Sequence, residues 1–206
     1  KNGTLIHKKN LPLEKIQPQL EEFMYNSGVN LPWIDYGHDI GIQIGRAHVG
    51  FSSIETKQRL EAKFAALKED NVSVVRAFLF CDLRSGIKFD AAGKPVAFDE
   101  YVYQDMQALL DIAQKYNIKL MPVLFDWTIA EGKSQESGLA VGEYPDLITD
   151  AAKRDALVNL FRGFFSRFGN NPSIYAWDIF NEPRNASVVA PNEQITPELR
   201  EFVKSF

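Results

Sequence analysis

The sequence lacks several features that would assign it to common classes of protein. Cys81 is the only cysteine, which excludes an internal disulfide and a metal site built on several cysteines. No apolar run approaches the roughly 20 residues that a membrane-spanning helix needs. Basic residues are not in excess: 23 Lys and Arg stand against 27 Asp and Glu, a net charge of −4. The composition therefore favours neither a nucleic acid nor an anionic membrane as partner.

A glycine-rich phosphate loop is also lacking. Gly41, Gly45 and Gly50 follow the first predicted strand, but their spacing is far from the G-x-G-x-x-G pattern. This argues against a doubly wound, dinucleotide-binding sheet. The 206 residues are enough for one sizeable domain with a single core.

Apolar strands and amphipathic helices alternate along the chain. Each helix-to-strand connection is short, and each strand-to-helix connection is long. Ser52 and Glu55 have the spacing of a capping box at the start of the first helix. The predicted strands cover residues 28–33, 72–80, 118–126 and 174–181, and the helices begin near residues 52, 99, 151 and 196.

This alternation predicts an α/β fold with a parallel sheet covered by helices. The long connections all fall at the carboxyl ends of the strands, an asymmetry typical of a TIM (β/α)8 barrel. A complete barrel needs eight β/α units, and the sequence supplies four. We therefore expect residues 1–22 to form a lead-in segment and residues 23–206 to form the N-terminal half of a barrel.

The fourth predicted strand ends in Asn181, Glu182 and Pro183. Proline cannot donate a ladder hydrogen bond, so the strand should stop there. Proline should also push Glu182 towards an extended backbone. A carboxylate and an amide are thereby expected at the carboxyl end of a core strand, where α/β proteins place their chemistry. Glu182 is the leading candidate for a catalytic residue.

Arg76 lies within the apolar second strand. A guanidinium in such a position needs an anionic partner. Two interpretations are open: a structural ion pair near the strand end, or an arginine that keeps an active-site carboxylate ionised through charge and hydrogen bonds.

Further candidates lie where strands open into the long connections. The aromatic ones, Trp33, Tyr36 and Trp127, are either lids of the core or platforms for sugar rings. The polar ones are positioned to bind hydroxyl groups, and they are Asp82, Asp126, His38 and Asp39. His38 and Asp39 lack the spacing of a metal site, so we expect neither a metal nor another cofactor.

Three segments resemble the retaining glycoside hydrolases of clan A, especially family 5 cellulases and β-mannanases. Residues Trp177–Pro183 are similar to the family's fourth-strand motif, and Val75–Phe78 to its arginine-bearing second strand. Residues Met121–Trp127 resemble the third strand, in a form nearest the β-mannanases. The resemblance spans roughly residues 23–206.

The resemblance implies roles for individual residues. Glu182 would be the general acid/base, and Asn181 would bind the 2-hydroxyl beside the scissile bond. Arg76 would orient the nucleophile, while Trp33 and Trp127 would line sugar subsites. It also implies a β-linked glucan or mannan-type substrate, no cofactor, and a secreted or extracytoplasmic location.

The family's nucleophile is a glutamate at the end of the seventh strand, which the four units do not include. Glu193, Glu198 and Glu201 fall in the last connection and helix, which is the wrong place. The expected partners are therefore a carbohydrate and the remaining half of the barrel, from the same longer chain or from a second chain. The alternatives are a non-catalytic carbohydrate-binding or scaffold barrel, an inactive half-barrel, and a phosphate-binding TIM-barrel enzyme, the last disfavoured because nothing in the sequence calls for it.

Overall fold

The computed structural model describes residues 27–130, 134–136, 139–141, 144–183 and 197–206. The predicted lead-in segment, residues 1–22, lies outside the described residues. The strands are β1 (Gly28–Asn30), β2 (Val74–Phe78), β3 (Ile87–Phe89), β4 (Pro95–Phe98), β5 (Lys119–Asp126), β6 (Ser134–Glu136), β7 (Leu139–Val141) and β8 (Asp178–Asn181). The helices are α1 (Ile54–Glu69), α2 (Val102–Tyr116), α3 (Asp146–Thr149), α4 (Ala151–Phe168) and α5 (Pro197–Lys204), with a 3₁₀ turn at Trp127–Ala130.

Four strands form one sheet in the order β1-β2-β5-β8, and every neighbouring pair is parallel. This order is the order of the chain, and a helix lies between each strand and the next. The predicted α/β class and parallel sheet are therefore confirmed. β8 is shorter than the predicted strand, because Ile174 makes only an isolated bridge with Leu120 before pairing resumes at Asp178.

Helices α1, α2 and α4 cover one face of the sheet. Their predicted apolar stripes are buried there, for example Leu60 and Phe64 of α1 and Phe161 and Phe164 of α4. The ring of Trp177 packs edge-on against Phe165, with ring centroids 5.0 Å apart. Side chains that meet in this way hold the strands at fixed positions relative to the helices.

The predicted capping box at α1 is wrong. The N-terminal cap is Ser53, which makes no side-chain capping bond. Ser52 instead donates both its backbone N–H and its hydroxyl to Asp105 of α2. The oxygens of a fully buried carboxylate need hydrogen-bond donors. Ser52 supplies two of them to Asp105 and therefore does not cap its own helix.

The long connections contain structure that the sequence patterns did not predict. β3 and β4 form an antiparallel hairpin between β2 and α2, and β6 and β7 form another between β5 and α3. A turn at Asp90 closes the first hairpin, since Asp90 accepts backbone hydrogen bonds from Ala92 and Lys94. No helix in the described part of the chain is long and apolar enough to cross a membrane.

Candidate active site

The candidate residues gather at the carboxyl ends of the four parallel strands, an end that we call the carboxyl edge. Asn181 ends β8 and Glu182 directly follows it, while Asp126 ends β5. Arg76 lies within β2 but reaches this group through its long side chain. Because parallel strands end at the same edge, residues far apart in sequence meet here.

Asn181 is held between an anion and a cation. Its Nδ2 donates to Asp126 Oδ1 at 2.8 Å, and its Oδ1 accepts from Arg76 Nη2 at 2.9 Å. These partners fix which way the amide points. Within the described part of the chain these are the hydrogen bonds of the Asn181 side chain.

Asp126 is buried at this edge, with 6% of its surface exposed. It accepts from the backbone N–H of Trp127 as well as from Asn181. Burial raises the pKa of Asp126, while these hydrogen bonds lower it and the negative charge of Glu182 raises it further. Asp126 and Glu182 are thus close enough to repel one another.

Arg76 has its carboxylate partner within the described chain. Its Nε and Nη2 donate to Asp178 Oδ2 at 3.0 and 2.7 Å. Its Nη1 donates to Asn30 Oδ1 at 3.3 Å, and its guanidinium lies 4.8 Å from the centroid of the Phe78 ring. This is the arrangement of the structural ion pair, one of the two interpretations of Arg76. The contact with Asn181 leaves a functional role open as well.

Asp178 is not among the site residues predicted from the sequence. One feature of the sequence points to it: Asp178 is a charged residue inside an otherwise apolar run, and Arg76, of opposite charge, lies inside another. Local patterns do not reveal that the two strands bring these residues together, because β5 lies between β2 and β8.

Glu182 does not have the extended backbone that the following proline predicts. Its φ is +48°, in the left-handed region. A residue with a side chain costs about 1 kcal/mol or more in this conformation. The chain turns sharply out of the sheet here, and the carboxylate is exposed beside Asn181. Such local strain is typical of functional sites.

The aromatic candidates after β1 form a connected group. Trp33 is 40% exposed and meets Tyr36 edge-to-face at a centroid distance of 4.9 Å. It also contacts Phe78, at 5.9 Å. Trp127 is half-buried and packs against the main core. Trp33 therefore presents a ring to solvent, and Trp127 has more of the character of a core lid.

Asp82 is placed in a buried ion pair. Asp82 is 1% exposed. Its Oδ1 and Oδ2 accept hydrogen bonds from Arg84 Nε at 2.9 and 2.8 Å, and Oδ2 also accepts one from Arg84 Nη2. The Arg84 guanidinium lies 4.6 Å from the centroid of the Tyr36 ring. Burial raises the pKa of Tyr36. Asp82 thus positions Arg84 and Tyr36 and presents no free carboxylate at the surface.

His38 and Asp39 are also buried. Arg46 Nη1 lies 3.1 Å from His38 Nε2, and burial, followed by the positive charge of Arg46, lowers the pKa of His38. Asp39 accepts the backbone N–H groups of Ile34 and Asp35 at 2.6 and 2.8 Å. These two residues stabilise the conformation of the connection after β1. No group of three or more His, Cys, Asp and Glu able to hold a metal occurs among the described residues.

The position of Asp39 predicts a pH-dependent stability. Burial raises its pKa from 3.8 to about 7. The folded protein therefore keeps a proton that the unfolded chain has lost, and this contribution is complete below pH 4 and disappears as the pH rises through 7. The shift corresponds to roughly 4 kcal/mol. In urea titrations from pH 4 to 8, Asp39→Asn should flatten this fall in the free energy of unfolding.

The slope is the informative quantity, because Asp39→Asn also removes one hydrogen-bond acceptor and changes the stability at every pH. Asp111→Asn, at an exposed position on α2, is the matched control and should leave the slope as it is. An unchanged slope in Asp39→Asn would contradict the assignment.

No family model matches the chain. A mannan endo-1,4-β-mannosidase of Mytilus edulis is 24% identical over 161 residues, covering 78% of this chain and 40% of that protein. Mannan endo-1,4-β-mannosidase 8 of Oryza sativa subsp. japonica is 26% identical over 144 residues, covering 63% and 38%. The chain thus spans about 40% of the length of the curated relatives that it matches.

Solved structures agree with this similarity. The β-mannanase of the blue mussel Mytilus edulis superposes with a TM-score of 0.64 at 24% identity, over 78% of this chain and 41% of that one. The β-1,4-mannanase of the sea hare Aplysia kurodai gives 0.63 at 25% identity, over 78% and 42%. The resemblance to family 5 glycoside hydrolases is therefore confirmed: in sequence and fold, the chain is similar to the N-terminal part of the β-mannanases.

Proposed function

We propose that residues 23–206 are the first four β/α units of a TIM-barrel catalytic domain, and that this domain hydrolyses a β-linked polysaccharide of the mannan type with retention of configuration. Residues 1–22 are a lead-in segment. Four parallel strands in chain order support the half-barrel, and the similarity to β-mannanases over about 40% of their length supports the substrate class. The remaining half of the barrel supplies the rest of the site, from the same longer chain or from a second chain.

The observation that carries the proposal is the Asn181–Glu182 pair at the end of β8. An amide locked by Asp126 and Arg76 stands beside an exposed carboxylate on a strained backbone. Locked polar groups at the carboxyl ends of parallel strands are a feature of enzyme sites, since preorganisation lowers the cost of reaching the transition state.

Each residue then has a defined task. Glu182, protonated, donates its proton to the glycosidic oxygen as the bond to the anomeric carbon breaks. A second carboxylate, about 5 to 5.5 Å away and outside this chain, attacks the anomeric carbon to form a glycosyl-enzyme. Glu182, now ionised, removes a proton from the water that releases the sugar. The amide of Asn181 donates to the 2-hydroxyl, and that bond strengthens as the transition state forms.

The surrounding residues support these two. Arg76 fixes Asn181 and helps to orient the second carboxylate. Trp33 offers a ring face to a sugar, and Trp127 and Asp126 line the floor at the end of β5. Four residues act from behind the surface: Tyr36, which is half-buried, and the buried His38, Asp39 and Asp82.

The proposal predicts that the 206-residue chain alone is inactive, because its nucleophile is missing. The complete protein should hydrolyse β-1,4-mannan and be labelled stoichiometrically by a 2-deoxy-2-fluoro-β-mannosyl fluoride. Mass spectrometry of the labelled peptide should place the nucleophile outside residues 1–206.

The isolated chain should also self-associate in analytical ultracentrifugation, since β1 and β8 are the edge strands of its sheet.

Turnover by the isolated chain that is lost in Glu182→Gln would overturn the missing-nucleophile assignment. Binding of mannan by the complete protein without any hydrolysis would favour a non-catalytic carbohydrate-binding barrel instead. The isolated chain carrying Glu182→Gln is the matched control for background hydrolysis.

A further inference from the structure

The turn that follows β2 is buried, although most connecting segments of proteins run over the surface. Residues 79–83 are all at most 2% exposed. Cys81 has a φ of +25° and Leu83 a φ of +61°, so residues with side chains adopt the left-handed region on both sides of Asp82. Such conformations cost free energy and persist only where the surrounding contacts enforce them. This turn therefore depends on contacts that hold it in a strained conformation.

The ion pair of Asp82 with Arg84 supplies contacts of this kind. Asp82 Oδ1 accepts the backbone N–H of Arg84 at 3.2 Å, and both carboxylate oxygens accept its Nε, at 2.9 and 2.8 Å. The side chains of Asp82 and Arg84 are 0% and 7% exposed. Breaking a buried ion pair by removing one partner is strongly destabilising, because a charge is left uncompensated. The pair thus spans Leu83 and closes the turn.

Arg84 is also held by the connection after β1. Its guanidinium lies 4.6 Å from the centroid of the Tyr36 ring. Gly37, with a φ of +71°, lies so close that a Cβ there would be 2.6 Å from Arg84 Cδ. Ser85, the next residue, donates its hydroxyl to the carbonyls of Gly37 and Ile40. The Arg84 side chain therefore lies in a closely packed site between the two connections.

The turn extends the pairing of β2 with β5 as far as the candidate active site. Just beyond the end of β2, the N–H of Leu79 donates to the Val123 carbonyl at 2.9 Å. The carbonyl of Cys81 then accepts the backbone N–H of Asp126 at 3.0 Å. The conformation of the turn determines where the Cys81 carbonyl points, so a relaxed turn would displace the end of β5.

Asp126 transmits this constraint to Asn181. The two residues are register partners in β5 and β8, and Asp126 Oδ1 accepts from Asn181 Nδ2 at 2.8 Å. The proposed function gives the Asn181 amide a hydrogen bond that strengthens in the transition state, and such a bond requires a donor in a fixed position. Hydrogen bonds and one turn of backbone therefore connect Arg84 to Asn181.

We propose that Arg84 is a positioning residue of the candidate active site. By holding the strained turn, Arg84 keeps the Cys81 carbonyl on the backbone N–H of Asp126, and Asp126 in turn orients the Asn181 amide. The proposal rests on the proposed function for the catalytic consequence of this orientation. Arg84 acts through Asp126 and Asn181 and takes no part in bond cleavage.

Replacing Arg84 by methionine in the complete protein should lower kcat on β-1,4-mannan about tenfold, because a displaced amide loses part of a bond that strengthens in the transition state. KM should change less than about twofold, since an interaction made mainly in the transition state contributes to kcat. Initial rates over a range of mannan concentrations measure both constants, and a thermal melt shows that the variant is folded in the assay. A purely structural Arg84 would lower the midpoint of unfolding and leave kcat of the folded protein unchanged.

Lys88→Met is the matched control, because Lys88 pairs with Glu100 on the same connection, where the two side chains are 53% and 62% exposed. It should alter neither kcat nor KM. If Arg84→Met does not fold, the double variant Asp82→Asn/Arg84→Met takes its place, since it leaves no uncompensated carboxylate, and it should show the same fall in kcat. A folded variant of either kind with an unchanged kcat overturns the proposal.

The side-chain amide signals of Asn181 separate this proposal from the proposed function. In heteronuclear NMR spectra of the complete protein with isotope-labelled asparagine, these signals are identified by their loss in Asn181→Asp. Arg84→Met should shift them, because the bond from Nδ2 to Asp126 is weakened, and Lys88→Met should not. A shift supports the positioning role of Arg84 even if the complete protein never cleaves mannan. Cleavage of mannan with unshifted Asn181 signals in Arg84→Met overturns that role alone.

Discussion

Replacing Glu182 by glutamine in the complete protein should lower kcat on β-1,4-mannan by about 10²- to 10⁴-fold. Glutamine has the same shape but cannot give up a proton to the glycosidic oxygen or accept one from water. Because Glu182 is exposed and lies just after the last residue of β8, the change should leave the midpoint of thermal unfolding nearly unaltered. Initial rates of reducing-sugar release and a thermal melt check both parts.

The choice of substrate distinguishes loss of the acid/base from general damage. An activated aryl β-mannoside needs no proton to expel its leaving group, so Glu182→Gln should still form the glycosyl-enzyme. Azide attacks that intermediate without a base, and its addition should restore turnover with release of a glycosyl azide. Failure of azide to restore any activity, together with normal folding, would argue that Glu182 is not the acid/base.

Glu61→Gln is the matched control. Glu61 lies on α1 and pairs with Lys115 at 3.2 Å on the exposed side of the helix layer. Surface ion pairs of this kind contribute at most about 1 kcal/mol. Its variant should retain full activity, and an equal loss in both variants would contradict the assignment of Glu182.

Much of the fold could be predicted from the sequence because it depends on local patterns. The apolar stripe of α4, from Leu157 to Phe168, is buried as its helical spacing predicts. The strands before Asp126 and Asn181 end close to their predicted positions. The periodicity of apolar residues indicates which face of a helix or strand is buried, and turn residues indicate where the helix or strand ends.

The pairing of side chains could not be predicted in the same way. Ser52 has the spacing of a cap but bonds to Asp105, 53 residues later. Asp178 meets Arg76 across 102 residues. Each of these bonds satisfies a buried or half-buried charge, and the partner that satisfies it is determined by the order of strands and helices in space. Local spacing contains no information on that order.

The backbone of Glu182 illustrates a second limit. Proline after a residue disfavours a right-handed helical backbone and usually leaves an extended one, yet Glu182 has a positive φ. Tertiary contacts at the end of β8 overcome the local preference there. Departures of this kind from local rules are concentrated at functional or strained sites, which agrees with the catalytic role that the resemblance gives to this residue and that stays a prediction.

Replacing Arg76 by methionine should lower the free energy of unfolding by about 2 kcal/mol, the value of hydrogen bonds to a charged group in a half-buried site. The change leaves the carboxylate of Asp178 and the Oδ1 of Asn181 without their donor. Because Asn181 then loses its fixed orientation, kcat of the complete protein should fall about 10²-fold as well. Urea denaturation and initial rates measure the two effects separately.

A double-mutant cycle with Asp178→Leu isolates the ion pair from other consequences of each change. Removing both charges avoids an uncompensated carboxylate, so the double variant should be more stable than the sum of the single losses predicts, with a coupling of about 1–2 kcal/mol. Arg59 and Asp35 provide the matched cycle at a more exposed pair, whose side chains are 44% and 34% exposed. That coupling should be smaller, below about 1 kcal/mol.

Measuring kcat for the variants of the same cycle separates the two interpretations of Arg76. If Arg76 is only a structural partner of Asp178, the double variant should recover activity in proportion to its stability. If Arg76 acts on Asn181 and the second carboxylate, kcat should stay about 10²-fold low in the double variant although stability recovers. We expect the second result, because Nη2 of Arg76 contacts both Asp178 and Asn181, and the leucine at position 178 does not replace the bond from Arg76 to the amide oxygen of Asn181. Recovery of kcat together with stability would assign Arg76 to the fold alone.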